Sequence, residues 1–226
     1  MKILALDTAA NACSVALQAG DRVIERIETT PRKHAATLLP MAEECLAEAG
    51  LALGDLDAVA FGRGPGSFTG LRIAASVAQG IAFGAGLPVV PVSNLAAAAV
   101  AAHRKHGWRQ VLVAFDARMH ELYAAAYRLD AAGLPEAVRE EALLPPDTLA
   151  LPGHEGVWPG AGSGFGAWPE LGVSLGLAGC DPEVEPLARD LLSIAVDAVA
   201  AGRTVTAAEA LPVYLRDKVA WQGGAR

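Results

Sequence analysis

The chain has 226 residues, of which 53% are hydrophobic and 19% charged, so it can bury a sizeable core and is too apolar for a disordered chain. A net charge of −7 with 5% aromatic residues argues against a protein that grips RNA or DNA alone, because phosphate binding needs a basic face. A subunit whose partner holds the nucleic acid is still allowed. Three widely spaced cysteines fit no disulfide framework, and no apolar run reaches membrane-spanning length. We therefore expect a soluble, cytoplasmic protein that binds no membrane.

The first half of the sequence predicts an α/β unit with a mixed sheet. Apolar alternation and a Gly-Asp turn predict a meander of three strands, followed by a helix with a 3.6-residue apolar stripe. A strand, a glycine-rich loop, an apolar helix, another strand and a capped helix complete the order βββαβαβα. The predicted ranges are 2–7, 12–18, 22–29, 33–49, 57–62, 71–85 and 88–92, then a helix from Ser93 or Asn94 to Lys105.

The pattern starts again after Gly107, which predicts two domains, 1–107 and 108–226. The second half is less regular, with many Pro and Gly residues between its elements. Strands are predicted at 110–116 and 121–128, connections and short strands at 131–135 and 145–169, a helix at 186–201, and a short helix with an extended end at 206–219.

An internal duplication would explain this restart. Placing ILALDTA (3–9) over LVAFDAR (112–118) puts Asp7 on Asp116, and the second strands then align with Val15 on Ala124. The match is short, and buried strands that end in Asp are common. On this alignment duplication and chance are equally open.

The segment FGRGPGSFTGLR (61–72) runs from a strand into a helix and is the most distinctive feature of the sequence. Its glycines could direct backbone N–H groups onto an anion at the helix N-terminus, with Ser67 or Thr69 as the N-cap. No Lys follows the last glycine, so this is not a Walker loop. The alternative is a tight turn whose glycines permit close backbone approach. The candidate residues for an anion or partner loop are Gly64, Gly66, Ser67, Thr69, Gly70 and Arg72.

Asp7 and Asp116 are candidate cleft carboxylates, because two-lobed phosphotransfer folds use an Asp at the end of each lobe's first strand. Such folds usually carry glycines after the first Asp, whereas Asp7 is followed by TAANA, whose alanine side chains would crowd a phosphate. The sequence therefore predicts a degenerate cleft without a tightly bound nucleotide. Neither the histidines nor the cysteines have metal-ligand spacing, so we expect no metal. A small phosphotransferase or ATPase using both Asp residues is the alternative; a nuclease would need more clustered carboxylates.

The predicted helix 71–85 carries Ser76, Gly80 and Gly84 at four-residue intervals. Such a strip of small side chains would let another helix approach closely, which would offset the cost of about 1 kcal/mol for each glycine in a helix. An apolar helix of this kind is more often simply buried. The alternative is that another protein covers the outer face of the helix pair 33–49 and 71–85.

Four segments resemble those of the bacterial TsaB family, formerly YeaZ, and together they span essentially the full chain. They are ILALDTAANACSVAL (3–17), GRGPGSFTGLRIA (62–74), DARMHELYAAAY (116–127) and PVYLRDKVAW (212–221). The resemblance implies an actin-like, Hsp70-like ATPase fold of the RNase H-like class, with two βββαβαβα lobes of which the second is degenerate. It also implies a noncatalytic subunit of the complex that forms threonylcarbamoyladenosine at position 37 of tRNAs reading codons that begin with A.

The resemblance further implies the partners of the chain. These are the transferase TsaD, which holds its metal through an HxxxH motif absent here, and the small ATPase TsaE; tRNA contact would be mostly indirect. Family members pair through the first-lobe helices, which correspond to about 33–49 and 70–85, and the chain alone is expected to form a homodimer. The predicted interface residues are Leu38, Met41, Cys45, Ile73, Ser76, Val77, Gly80, Ile81 and Gly84.

Overall fold

Two five-stranded mixed sheets form the framework of the computed structural model, which describes residues 1–29, 34–153 and 156–216. The strands of the first sheet are β1 (Lys2–Asp7), β2 (Cys13–Ala19), β3 (Arg22–Glu28), β4 (Ala58–Gly64) and β5 (Val89–Ser93). Their order is β3-β2-β1-β4-β5, with the first three antiparallel and the last two parallel to β1. The helices of this half are α1 (His34–Ala49), α2 (Phe68–Ala85) and α3 (Asn94–His106).

The second sheet repeats this topology. Its strands are β6 (Gln110–Asp116), β7 (Leu122–Leu129), β8 (Pro135–Leu144), β9 (Gly160–Ala161) and β10 (Cys180–Asp181). They lie in the order β8-β7-β6-β9-β10, again a meander followed by two parallel strands. The helices are α4 (Gly164–Ala167), α5 (Glu170–Ser174) and α6 (Ala188–Ala200), and short 3-10 turns occupy Leu53–Asp55, Pro146–Thr148 and Ala207–Glu209.

The shared topology supports the internal duplication and corrects its alignment by one residue. Leu6 faces Val15 in the first hairpin, whereas the equivalent Phe115 faces Tyr123 in the second. Ala124 is therefore not the counterpart of Val15, because the second hairpin turn is one residue shorter. The second lobe is the degenerate one, since its last two strands have only two residues each.

Alternating residues of β1 build two core layers on opposite faces of the first sheet. Leu4 and Leu6 pack toward α1 and α2, while Ile3 and Ala5 pack toward α6 with Leu191 among their neighbours. Helix α3 packs against β6 and β7 of the second sheet. The predicted boundary at Gly107 therefore separates the sheets but not the helix layers, because α6 from the second half covers the first sheet and α3 from the first half covers the second.

Several elements differ from the sequence prediction, among them α5 and β10, which lie in a stretch where no element was predicted. Helix α2 begins at Phe68, three residues earlier than predicted, because Ser67 caps it. Strand β8 was not predicted, since its charged residues mask any alternation; it is an edge strand with one mostly solvated side. Of the predicted end segment 206–219, residues 217–219 lie outside the described residues. No helix in the described part of the chain has both the length and the apolarity to cross a membrane.

Candidate functional site

Asp7 ends β1 and is almost completely enclosed, with 1% of its surface exposed. Its Oδ2 accepts a hydrogen bond from Asn94 Nδ2 at 2.6 Å, and its Oδ1 accepts one from the Ala9 N–H at 3.1 Å. Asn94 Oδ1 in turn accepts from the Gly64 N–H at 2.7 Å. A side chain at Gly62 would overlap the Asp7 carboxyl group, so glycine is required on β4. Asp7 therefore joins β1, β4 and α3 as a structural node.

Burial acts strongly on this carboxyl group. Removal of water raises the pKa of Asp7 to about 7, although the hydrogen bonds from Asn94 and Ala9 act in the opposite direction. Asn94 was predicted only as an alternative helix cap, and its role at Asp7 was missed. The cap is Ser93, whose Oγ accepts from the Ala96 N–H at 3.1 Å, and this leaves the Asn94 side chain free for Asp7.

The glycine-rich loop packs directly on the turn that follows Asp7. The Ser67 N–H donates to the Ala9 carbonyl at 2.8 Å, and Thr8 Oγ1 donates to the Gly70 carbonyl at 2.7 Å. A Cβ at Gly66 would lie 2.7 Å from the Ala9 oxygen, and one at Gly70 would overlap the Thr8 oxygen. These contacts favour the tight-turn interpretation of the loop, in which the glycines permit close backbone approach.

The backbone conformation at Gly64 and the cap at Ser67 fix the two ends of the glycine-rich loop. Gly64 has a φ of +112° and precedes a cis bond to Pro65. Ser67 Oγ accepts from the Gly70 N–H at 3.3 Å and so provides the predicted N-cap of α2, while Thr69 is exposed. The loop thus sets the start of α2 relative to β1.

The turn after Asp7 leaves little open surface for a nucleotide phosphate. The glycine-rich loop covers the turn that would have to meet such a phosphate. Thr8, Ala9 and Ala12 in that turn each have 6% or less of their surface exposed. The exposed residue of that turn, Asn11, donates to Glu185 from the second half of the chain. We therefore derive no chemical step through a nucleotide.

Asp116 lies at the end of β6 and serves its own turn. Its carboxylate accepts from the Arg118 N–H at 2.9 Å and pairs with the Arg118 guanidinium at 3.1 Å, and its N–H donates to Ser163 Oγ. No hydrogen bond between Asp7 and Asp116 occurs among the described residues. The structure places the two carboxylates in separate local networks.

The described ranges contain no group of three or more His, Cys, Asp or Glu residues able to hold a metal ion. The two histidines at the end of α3 have structural partners instead. His103 Nδ1 lies 3.0 Å from the Trp108 carbonyl, and His106 Nε2 lies 2.6 Å from Asp181 Oδ2. They therefore connect α3 to the second lobe.

The strip of small residues on α2 faces solvent. Ser76, Gly80 and Gly84 are exposed, and a Cβ added at either glycine would meet no atom of a described residue within 4 Å. Beside them, Ile73 and Val77 are half-buried and help to line a groove of about 410 Å³, whose other lining residues are Ala35, Phe68, Thr69, Arg72 and Ser76. The face of α2 left open in the chain is therefore the small-residue face.

Four of the predicted interface residues lie elsewhere, which corrects that part of the prediction. Leu38, Met41, Cys45 and Ile81 are buried in the core between the first sheet and its two helices. The apolar stripe of α1 faces the sheet because that is where it removes most apolar surface from water. Only the α2 residues at positions 73, 76, 77, 80 and 84 remain for a surface.

The segment predicted as an extended end and quoted as a family motif links the two lobes. The Val213 N–H donates to the Arg63 carbonyl at 2.8 Å in the first lobe. Arg216 Nη2 donates to the Ala117 carbonyl at 3.0 Å and to Glu121 Oε2 at 2.6 Å in the second lobe. We call residues 211–216 the strap. Its signal in the sequence was the motif at 212–221, of which 217–221 lie outside the described residues.

The two sheets share one strand topology, and each has an Asp at the end of its first strand. This arrangement defines a two-lobed α/β protein of the actin-like, RNase H-like class. Residues 23–161 match the family model of TsaD, described as tRNA N6-adenosine threonylcarbamoyltransferase. The chain belongs to the TsaB (YeaZ) family, as the following relatives show.

The relatives cover nearly the whole chain. This chain is 46% identical over 229 residues to the tRNA threonylcarbamoyladenosine biosynthesis protein TsaB of Escherichia coli (strain K12). That alignment covers 98% of this chain and 97% of the Escherichia coli protein. The Haemophilus influenzae protein of the same name is 39% identical, with 98% and 96% covered. The solved structure of YeaZ from Pseudomonas aeruginosa has a TM-score of 0.87 and 46% identity, covering 95% of this chain and 99% of that one.

Proposed function

We propose that this chain is a noncatalytic subunit of the complex that forms threonylcarbamoyladenosine at position 37 of tRNAs reading codons that begin with A, and that it binds and activates the TsaD transferase. Its membership of the TsaB family supports a role in tRNA threonylcarbamoyladenosine biosynthesis. The observation that carries the proposed mechanism is the open strip of Ser76, Gly80 and Gly84 on α2.

The strip is suited to close approach by another helix. Glycine in a helix interior costs about 1 kcal/mol relative to alanine, and no residue that the structure describes occupies the space above Gly80 and Gly84. A close helix–helix contact would offset that cost. A stable interface of standard size buries about 1,600 Å² in total, which needs the groove beside the strip as well as the strip itself.

The match of residues 23–161 to the transferase model supports a partner of the same fold. Equivalent helices of the two subunits would then pack as a four-helix contact. A homodimer of the isolated chain would use the same surface and would compete with the transferase.

The enclosed cleft supports a noncatalytic role. Because the turn after Asp7 is covered by the chain's own backbone, we assign the metal and the transfer chemistry to TsaD. In this proposal TsaE joins the pair, most tRNA contact is made by the partners, and the complex works in the cytoplasm. A net charge of −7 agrees with limited direct tRNA contact.

Substitution of the strip glycines tests the proposal. Gly80→Leu and Gly84→Leu should each leave the fold intact, since the added side chain enters open space, but raise the Kd for purified TsaD at least about tenfold by holding the helices apart. Gly153→Leu is a matched control, because Gly153 is also exposed in open space but lies in the second lobe. Binding of TsaD by both strip variants at the wild-type Kd would contradict the proposal.

A further inference from the structure

Arg72 is held in a fixed position at the rim of the groove beside the strip. Its guanidinium lies 3.8 Å from the centroid of the Phe68 ring and 5.9 Å from that of Tyr214. The two rings are themselves in contact, with centroids 5.4 Å apart. Arg72 Nε donates to the Tyr214 hydroxyl at 3.0 Å. An exposed side chain that is normally mobile is thus ordered by two aromatic rings and one hydrogen bond.

Among the residues that the structure describes, no group takes up the remaining hydrogen-bond capacity of Arg72. Within the ranges 1–29, 34–153 and 156–216, no carboxylate lies within ion-pair distance of Arg72, and its Nη atoms make no hydrogen bond. Many of the other arginines pair with a carboxylate, as Arg63 does with Glu141 and Arg104 with Asp190. Arg72 therefore presents two Nη groups in a preset plane, which matches the two oxygens of a carboxylate.

The surroundings of Arg72 distinguish between possible ligands. Among the described residues that line the groove, Arg72 is the charged one, and most of the others are apolar, such as Ile73 and Val77. Phosphate backbones are bound by several basic residues together, because affinity comes from neutralising many charges. A single ordered Arg next to aromatic rings in an apolar groove is instead the usual composition of a protein–protein hot spot.

We propose that Arg72 forms a two-point ion pair with a carboxylate on the helices of the transferase, and that Tyr214 acts as its positioning residue. This inference rests on the function proposed above and adds the chemistry that the partner must present: an Asp or Glu facing the end of the groove near the start of α2. Because Tyr214 belongs to the strap, the strap also fixes the geometry of this contact.

The test is the Kd for purified TsaD, measured by titration calorimetry at several salt concentrations. Arg72→Ala should raise the Kd by about tenfold or more and reduce its dependence on salt, since the variant loses a charged contact. Arg72→Lys should recover only part of the affinity because it lacks the planar fork. Tyr214→Phe, which keeps the ring and removes the hydroxyl, should give a smaller loss, and Arg203→Ala, at the exposed end of α6, should behave as wild type.

The outcomes separate this inference from the proposed function. If wild type binds TsaD and Arg72→Ala binds equally well with the same salt dependence, the inference is overturned and the proposed function stands. If wild type does not bind TsaD at all, both are overturned. A variant that loses only self-association, with TsaD binding unchanged, would assign Arg72 to a homodimer and would also overturn the inference.

Discussion

Asp7 is a carboxyl group on which burial and hydrogen bonding act in opposite directions. Enclosure between β1, β4 and α3 disfavours its charged form, while Asn94 and the Ala9 N–H favour it, and burial has the larger effect. The sequence predicted Asp7 as part of a degenerate cleft, from the missing glycines at 8–12. Its complete burial could not be predicted, because that depends on Asn94, which is 87 residues away along the chain.

The raised pKa of Asp7 predicts how stability depends on pH. In the unfolded chain the carboxyl group ionises near 3.8, and in the folded chain near 7, so the unfolded state loses its proton first as pH rises. The contribution of Asp7 to stability should therefore fall between about pH 4 and 7 and then level off, with a loss of about 3 kcal/mol from pH 5 to pH 8.

Chemical denaturation at pH 5 and pH 8 measures this effect. Asp7→Asn should remove that part of the pH dependence whatever its absolute stability, and Asp116→Asn is the control at the end of the other first strand. A wild-type pH dependence in Asp7→Asn would show that another group is responsible.

Helix α2 contains two kinds of glycine, which differ in what surrounds them. Gly70 in its first turn lies against the Thr8 carbonyl, whereas Gly80 lies in open space. The four-residue spacing in the sequence indicated the small-residue strip correctly. It could not indicate which face is exposed, because periodicity alone does not fix the orientation of an apolar helix. The same limit explains why four predicted interface residues are in the core.

Alanine substitutions should therefore have opposite effects along this one helix. Gly70→Ala should lower the free energy of unfolding by about 2 kcal/mol or more, because the Cβ overlaps a backbone carbonyl that cannot move cheaply. Gly80→Ala should raise it by up to about 1 kcal/mol through helix propensity alone. Urea denaturation of both variants measures the two effects, and a neutral Gly70→Ala would refute the close-approach account of the loop.

The strap and α6 connect the two lobes, which the sequence predicted as separate domains. Helix α6 was predicted correctly as a helix, but its amphipathic pattern gives no information about which sheet it covers. The internal duplication was visible in outline, from Asp7 and Asp116. The one-residue shift of the second hairpin could not be predicted, because it depends on the length of a turn that has no strong sequence signal.

The strap should stabilise an unfavourable turn in the second lobe. Arg118, Met119 and His120 all have φ values between 54° and 60°, which is costly for three consecutive residues with side chains. Arg216 donates to the carbonyl groups of Ala117 and Arg118, which lie in this turn. Arg216→Ala should therefore let the turn relax.

Hydrogen exchange detects this relaxation. The amides of 117–121 should exchange faster in Arg216→Ala, with a loss of about 1–3 kcal/mol in global stability, because partly buried hydrogen bonds and an ion pair to Glu121 are removed. Arg203→Ala controls for loss of a surface charge. Unchanged exchange at 117–121 would mean that the turn is held by its own residues.

The central claim is that this chain acts through the surface of α2 and not through chemistry in its cleft. Reconstituted threonylcarbamoyl transfer to tRNA, with purified TsaD and TsaE and with threonylcarbamoyl-adenylate supplied, tests it most directly. We expect transfer to require this chain, to be lost with Gly80→Leu and to be retained with Asp7→Asn once complex formation has been verified. Full transfer with Gly80→Leu, or loss of transfer in an intact complex containing Asp7→Asn, would contradict the claim.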